Sequence, residues 1–496
     1  VMDKEFKEGL FKSSAATSLG SGASIIFHFI SVMILTRHLS KDDFGIYILI
    51  LVIVNLFNLL GGFGLELTLV KFIASAKDDK SAYFIPVSYL RALQLLFFGV
   101  LFFLFGDLLT PFFDVRINQF ILLIPILFFL SSFRDLYYNL LQGLSLFRKY
   151  ASVQVISAVA RVILIVAYLF LNKLTLASLI LLEVIVTFLT VVYQFYSIPI
   201  KELVSFKFDK QVYKRIISFS LPLYLKNLIV FLSERLNTFV IGAYLNPSSV
   251  ALFDISGTVP RALKKMTDSF MVVFFPNITR LFSNENKTAA LTFMNRSLIF
   301  SALVLNVVAA LSFIFSEDII RILFSAQYLE ASLAFSLLMF NLYLSVTENI
   351  LGYSILAAGN PSIPFKANTL STILGGIASF IFIPWFGFMG AVYAVLLMNI
   401  INQTVFQLFL FRINFTPELK KIIQPALLLG LTLAVFYTAR LFVDGIFLKV
   451  FCLVLFIALL WFYTADFKQM IYTIREFISH FDIKGLVRKK STSETE

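Results

Sequence analysis

The chain is nearly without cysteine, histidine and tryptophan. Of its 496 residues one is cysteine, three are histidine and two are tryptophan. Cys452 alone makes no internal disulfide and no cysteine-based metal site. His28, His38 and His480 lie too far apart in sequence to suggest a zinc motif. No Walker A sequence, no HExxH and no GxSxG occurs. Charge is scarce as well: 14% of residues are charged, against roughly 25% in soluble domains. That is too little polar surface to cover a soluble core of this length. These deficits exclude a soluble enzyme, a disordered chain and a disulfide scaffold. The net charge of +12 raises nucleic acid as a partner. Basic residues also gather in the cytoplasmic loops of membrane proteins, so their placement decides.

What is present is apolar length. Hydrophobic residues make up 59% of the chain, and phenylalanine alone contributes 59 residues. Fourteen apolar stretches have the roughly 20-residue length of a membrane-spanning helix. They cover residues 15–39, 44–64, 82–107, 117–142, 150–171, 175–198, 214–245, 248–276, 289–316, 331–357, 363–384, 388–411, 421–443 and 446–465. The expected fold class is therefore all-α, a polytopic membrane protein of about 14 transmembrane helices. Pro125 and Pro222 fall inside such stretches, where neighbouring helices can satisfy the freed backbone groups. No cleavable signal peptide is expected, because the first stretch is long, partly polar and leads straight into the second. With both termini placed in the cytoplasm, 25 of the 41 lysines and arginines fall on inside segments and seven on outside segments. This asymmetry accounts for much of the positive charge without nucleic acid.

A weak internal repeat runs through the chain at offsets of about 205–216 residues. Leu35-Thr-Arg-His-Leu-Ser-Lys-Asp-Asp-Phe-Gly-Ile-Tyr47 corresponds to Ile241-Gly-Ala-Tyr-Leu-Asn-Pro-Ser-Ser-Val-Ala-Leu-Phe253. Arg91 matches Arg296, Gly143 matches Gly359, Ala151 matches Ala367 and Gln194 matches Gln407. Six stretches in each half imply parallel repeats. The expected organisation is a lobe over 1–198, a cytoplasmic linker over 199–213, a second lobe over 214–412, two added helices over 413–465 and a cytoplasmic tail over 466–496. In the tail, Phe467, Met470, Ile471, Ile474, Phe477, Ile478 and Phe481 follow helical spacing among basic residues, which predicts an amphipathic helix on the membrane face. Phe6, Leu10 and Phe11 predict a shorter interfacial helix of the same kind.

Nine cations remain inside the predicted helices: Arg91, Arg134, Arg161, Lys226, Arg235, Arg261, Lys264, Lys265 and Arg296. Facing lipid at mid-membrane, each would cost about 2.5–3.5 kcal/mol. Together they would cost on the order of 20–30 kcal/mol, beyond the stability of a typical fold. Arg91 and Arg296 sit near helix ends and can snorkel. Arg161 and Arg261 lie near helix centres and should face protein or a watery cavity. At 100° per residue, Asp254, Arg261, Lys264, Lys265 and Asp268 share an arc of roughly 100°. Lys264 and Asp268 are spaced to pair. This stripe fits either an internal ion-pair network or a cavity for an anion, which arginine grips in a bidentate fork. Arg134 and Asp135 are adjacent and about 100° apart on the helix, so they need not pair together. Glu183 and Glu348, with Asp254, are candidates to carry H+ or hold Na+, or else to neutralise cations. Asn399, Asn402, Gln403 and Gln407 form one polar face, suited to sugar hydroxyls or to joining helices.

Several segments resemble the polysaccharide-export branch of the multidrug/oligosaccharidyl-lipid/polysaccharide exporter superfamily. Leu35–Tyr47 is similar to its opening signature, and Gly61-Gly-Phe-Gly64, Lys71-Phe-Ile-Ala74, Phe275-Pro-Asn-Ile-Thr-Arg280, Leu356-Ala-Ala-Gly-Asn360 and Ile383-Pro-Trp-Phe-Gly-Phe-Met-Gly-Ala391 also fit. The resemblance covers about residues 10–465. It implies two six-helix lobes around a central cavity and a flippase, not an enzyme, in the cell membrane. The implied cargo is a polyprenyl-pyrophosphate-linked glycan, with membrane lipids, H+ or Na+ and glycan-assembly machinery as partners, and no cofactor or metal. Candidate pyrophosphate contacts are Arg261, Lys264, Lys265, Arg161, Lys226, Arg91, Arg134 and Arg296; candidate ion-coupling residues are Glu183, Glu348 and Asp254. A lipid II flippase and a multidrug cation antiporter share the superfamily. A non-transporting scaffold is the reading from another class.

Overall fold

The computed structural model describes residues 4–76, 80–105, 114–199, 203, 209–283, 286–442 and 445–463. Among them the chain forms helices and no strand. In order they are α1 (Lys4–His38), α2 (Lys41–Gly62), α3 (Leu65–Ser75), α4 (Ser81–Phe105), α5 (Leu123–Gly143), α6 (Phe147–Phe170), α7 (Leu176–Ser197) and α8 (Lys210–Tyr244). Then come α9 (Pro247–Ser283), α10 (Lys287–Ile314), α11 (Ser316–Leu323), α12 (Ser332–Ala357), α13 (Ser362–Phe386), α14 (Phe388–Arg412), α15 (Leu419–Arg440) and α16 (Ile446–Tyr463). Each of the fourteen predicted stretches falls on one of these helices. Among the described residues, eleven helices are long and apolar enough to cross a membrane. Of the others, α5 carries the adjacent Arg134 and Asp135, α9 carries five charges between residues 254 and 268, and the apolar part of α16 is short.

The helices expose what a soluble protein hides. Phe170 is 82% exposed, Trp385 79% and Phe447 89%. Apolar surface of this extent requires an apolar solvent, and the closed hydrogen bonding of helices is what lets backbone enter one. The protein is a multi-pass membrane protein. Residues from Lys4 onward continue directly into α1. The separate interfacial helix expected around Phe6 is thus part of a longer one, since no proline interrupts the run. The expected tail helix, from Ala465 on, lies outside the described residues.

The break after α2 was not foreseen as a structural device. Gly61-Gly-Phe-Gly64 ends α2 with Phe63 and Gly64 both left-handed, at φ 47° and 70°. A Cβ on Gly64 would lie 2.6 Å from the Ser220 carbonyl oxygen on α8, so glycine is required twice over. Arg91 of α4 donates to the Gly61 carbonyl at 2.7 Å, satisfying an acceptor the helix end leaves open. Thr68 bonds back to the Gly64 carbonyl at 2.8 Å.

The chain forms two compact units. One comprises Val1–Thr258, Ile320–Ala331 and Thr372–Val395; the other comprises Val259–Ile319, Ser332–Ser371 and Leu396–Glu496. In the first, α3, α4, α5 and α6 bury a core that includes Leu65, Leu69, Phe84, Val87, Leu136, Leu140 and Val153. In the second, α9, α10, α12 and α14 bury Phe274, Met294, Leu298, Ile350 and Phe406. There α15 and α16 pack on α10 through Leu303, Leu429, Phe456 and Leu460. Two salt links close the same end: Arg440 grips Glu317 with both contacts at 3.0 Å, and Lys449 meets Asp318 at 2.5 Å.

Gly45 of α2 provides a test of packing. Its Cβ would lie 1.9 Å from the Pro247 carbonyl oxygen. Gly45→Val should lower the melting temperature of the purified protein by several degrees, since overpacking costs about 1–3 kcal/mol. Gly430→Ala, where a Cβ meets nothing within 4 Å, should leave melting unchanged or raise it slightly.

Candidate functional site

α9 changes character along its length. Residues 250–258 are buried on every side, including Asp254. Pro260 then removes one backbone donor from the helix interior, a recognised cause of kinks. Immediately beyond it, Arg261, Lys264, Lys265 and Asp268 are all exposed. The helix therefore carries the predicted stripe, split into a buried acid and an exposed, mostly cationic half. Lys264 and Asp268 are not joined by an ion pair among the described side chains, contrary to the expected i,i+4 pairing. Both side chains are exposed. Lys264 instead is the cation whose field acts on Glu348 of α12.

Glu348 is held by α14. Asn402 donates to its carboxylate at 3.0 Å. Asn399 bonds Asn341 at 2.7 Å, and Gln403 bonds Thr347 at 3.3 Å. Three residues of the predicted polar face on α14 thus serve as rungs to α12. One acceptor in this ladder, Asn402 Oδ1, is buried without a protein partner.

The first unit places Arg161 and Glu183 in one cluster. Arg161 of α6 lies 2.9 Å from the Glu183 carboxylate on α7. The Tyr47 hydroxyl donates to Glu183 at 2.8 Å and accepts from the Arg161 guanidinium. His28 Nδ1 of α1 lies 3.3 Å from Arg161 Nη1. Arg161 Nε is buried with no partner. Burial of a cation and an acid together is what their mid-helix depth demanded. Tyr47 is the member that sequence reasoning missed, although it closes the Leu35–Tyr47 signature.

Arg91 does not snorkel. It is 1% exposed and lies 2.9 Å from Glu66 of α3. The αL break turns Glu66 back toward α4, so a partner arrives before any interface is needed. Arg134 pairs with Asp135 at 2.9 Å. Its long side chain folds along the helix, which the bare 100° rule ignores. Arg296 is exposed on α10, beside an open hollow of about 410 Å³ lined by Asn286, Thr288, Ala289, Thr292 and Phe293. Lys226 falls on α8, and its side chain lies outside the described residues.

The signature segment also works as a clasp. Arg37 donates to the Ile322 carbonyl, Thr36 to the Phe324 carbonyl at 3.1 Å, and Gln327 to the carbonyls of Thr36 and Leu39 at 2.7 and 3.0 Å. Lys41 meets Glu330 at 2.7 Å, Asp42 accepts from Ser248 at 2.7 Å, and Asp43 lies 3.5 Å from Arg116. Arg116 also holds Asp114 at 3.1 Å. Burial opposes ionisation of Asp114, but the Arg116 hydrogen bonds outweigh it and hold the carboxyl below its ordinary range. The sequence singled out this segment as a motif. It gave no sign of the partners, which lie 73 to 291 residues away.

The Arg91–Glu66 pair yields a double-mutant test. Arg91→Met should destabilise the purified protein by about 3–5 kcal/mol, because Glu66 is left half-buried without its counter-charge. Arg91→Met/Glu66→Met should recover most of the loss. Thermal unfolding of both variants, with the Glu66→Met single, closes the cycle; a double variant as weak as the sum of the singles would show no coupling.

Comparison with known proteins places this architecture. The family model described as polysaccharide biosynthesis protein matches residues 34–333. The probable low-salt glycan biosynthesis flippase Agl15 of Haloferax volcanii is 24% identical over 166 residues, 34% of this chain and 35% of that protein. The chain thus spans about a third of the length of that curated relative. A lipid II flippase MurJ in an inward closed conformation superposes with a TM-score of 0.71 at 17% identity, over 93% of this chain and 99% of that one. An inward-facing multidrug resistance MATE family transporter of the MOP superfamily gives 0.64 at 13% identity, over 79% and 94%. These likenesses extend the fold over nearly the whole chain, and the family match covers more than half of it: the chain belongs to the polysaccharide biosynthesis protein family.

Proposed function

We propose that the protein is a flippase that carries a polyprenyl-pyrophosphate-linked glycan across the cell membrane by alternating access, with no chemical bond changed. The observation that carries this reading is the exposed half of α9. Arg261, Lys264 and Lys265 stand on one arc of a helix that lies at membrane depth in the expected topology. Among the described residues, no ion pair within 4 Å engages either lysine. Cations exposed at that depth are costly unless an anion or water meets them. The pyrophosphate is the part of a lipid-linked glycan that hydrocarbon rejects most strongly, and charge-assisted contacts compensate it. The polyprenyl tail can stay in the bilayer throughout. The glycan flippase named for the Haloferax relative supports the cargo class. The same chemistry would serve lipid II. A multidrug cation antiporter fits poorly, because this face is positive.

Two further elements belong to the proposal. The two sequence halves are read as parallel repeats, 1–198 and 214–412. The hydrogen bond between Asp42 and Ser248 supports this: its partners are 206 residues apart, the offset of the matched signatures. Residues near an approximate two-fold axis meet their own equivalents in this way. In each half a short helical segment, Val115–Phe120 or Ser316–Leu323, also precedes the fourth long helix. The appended α15 and α16 and both termini in the cytoplasm complete the reading. Glu348, fixed by Asn402, and Glu183 are the proposed coupling acids for H+ or Na+.

The test is translocation of a lipid-linked oligosaccharide in proteoliposomes. Arg261→Ala should slow it at least tenfold, since one charge-assisted contact is worth about 1.5–3 kcal/mol and about 1.4 kcal/mol is a decade. Arg261→Lys should keep part of the rate through charge alone. Full transport by a well-expressed Arg261→Ala/Lys264→Ala/Lys265→Ala protein would sink the assignment of the head group to α9.

A further inference from the structure

We propose that Arg161, Glu183 and Tyr47 form an exchange site in which an anionic phosphate group and the Glu183 carboxylate compete for one guanidinium. When the anion takes Arg161, Glu183 is released and binds a proton from water. The proposal rests on the reading of an anionic head group given above and names the residue through which a proton is linked to it.

The geometry carries three parts of this argument. First, Arg161 and Glu183 are 15% and 12% exposed, so the pair is largely desolvated but keeps a surface. His28, which contacts Arg161, is exposed, so the cluster is not sealed. Second, the guanidinium is incompletely used. Its Nη atoms are engaged by Glu183, Tyr47 and His28, while Nε is buried without a partner. A guanidinium has five donors in a fixed fork, and a phosphate presents the bidentate acceptor edge that suits it. Third, Tyr47 bridges both charged groups through one hydroxyl. It accepts from Arg161 and donates to Glu183. If the guanidinium turns to an anion, the hydroxyl remains beside the carboxyl and can exchange a hydrogen bond with its protonated form.

The charge balance explains why a proton must follow. The pair is neutral as it stands. An anion that replaces the carboxylate on Arg161 would leave Glu183 ionised and unpaired in a low-dielectric setting, which is prohibitively unfavourable. Protonation of one Glu183 oxygen removes that charge. One proton leaves solvent, one O–H bond forms, and no bond in the anion is broken. Among the described residues, the charged and titratable groups acting on Glu183 are few. Arg161 of α6 and Tyr47 of α2 touch it. His28 of α1 reaches it through Arg161, and Asp254 of α9 acts on Tyr47. Arg134 and Asp135 of α5 pair with each other. The sequence left open that Glu183 neutralises one of the intramembrane cations, but not that the cation is Arg161.

The experiment uses the full chain in lipid nanodiscs, titrated with inorganic pyrophosphate by calorimetry in buffers of different ionisation enthalpy. Wild type should take up close to one proton more per bound anion than Glu183→Gln does. Its Kd should weaken as pH rises, approaching tenfold per unit, while that of Glu183→Gln stays flatter and is at least tenfold tighter at pH 8. Arg161→Gln should bind weakly with no linked proton. Equal proton counts and equal affinities in wild type and Glu183→Gln would overturn the exchange while leaving the anionic head group standing. No pyrophosphate binding by wild type would count against both. If Glu183→Gln fails to fold, Glu183→Asp replaces it and should retain the pH slope, its loss overturning the proposal. A second arm uses a short-chain polyprenyl pyrophosphate. Tighter binding with the same proton difference supports a lipid head group as the anion; no gain in affinity over inorganic pyrophosphate overturns that source.

Discussion

A charge held within hydrocarbon has to be neutralised where it stands. That constraint shapes the whole arrangement of this chain's charged residues. Solvating such a group from a distance is impossible, and leaving it bare costs more than one interaction elsewhere can offset. Arg91 finds Glu66 across the α2–α3 break, Arg161 finds Glu183 through Tyr47, and Arg134 folds onto Asp135. The first two pairs join different helices. In a chain that exposes so many large apolar side chains, hydrophobic burial does little to choose one helix partner over another. The ion pairs and the Asn–Asn, Asn–Glu and Gln–Thr rungs between α12 and α14 supply that selectivity.

Against this background α9 is the exception that has meaning. Its first half obeys the rule, with Asp254 buried; its second half displays Arg261, Lys264 and Lys265. Among the described residues neither Lys264 nor Lys265 is in an ion pair, whereas Arg91 is tied to Glu66. The signature segment Leu35–Tyr47 links the two behaviours. Its first residues are clasped by carbonyls and side chains of residues 322–330, and its last residue reaches into the Arg161–Glu183 cluster. One short stretch thus connects a helix-end contact to the buried Arg161–Glu183 cluster. That double use gives a physical reason for its recognisable pattern.

Helix positions were legible in the sequence because length and apolar run alone define them. Breaks were less so. Gly61-Gly-Phe-Gly64 was recognisable as a motif, but its role in turning Glu66 toward Arg91 depends on two left-handed residues that no periodicity reveals. For the charges, sequence identified which residues needed compensation and not by whom. The helical wheel correctly grouped Arg261, Lys264 and Lys265, because one helix carries all three. It left the pairing of Arg134 with Asp135 open, because side-chain length exceeds the spacing the wheel describes. Partners such as Glu330 for Lys41, or Glu183 for Arg161, are set by tertiary packing over 289 residues in the first case. Only the fold brings them together.

The account stands on the claim that an anionic, lipid-linked head group is what crosses. The most direct measurement reconstitutes the wild-type protein with two fluorescent lipids carrying the same oligosaccharide. In one the sugar joins the polyprenyl chain through pyrophosphate; in the other it joins through a neutral linker. A membrane-impermeant quencher then reports arrival in the opposite leaflet. The account predicts protein-dependent movement of the pyrophosphate lipid, at least tenfold faster than that of the neutral one and slowed by competing polyprenyl pyrophosphate. Equal movement of both lipids, or export of an organic cation with neither lipid moving, would contradict it.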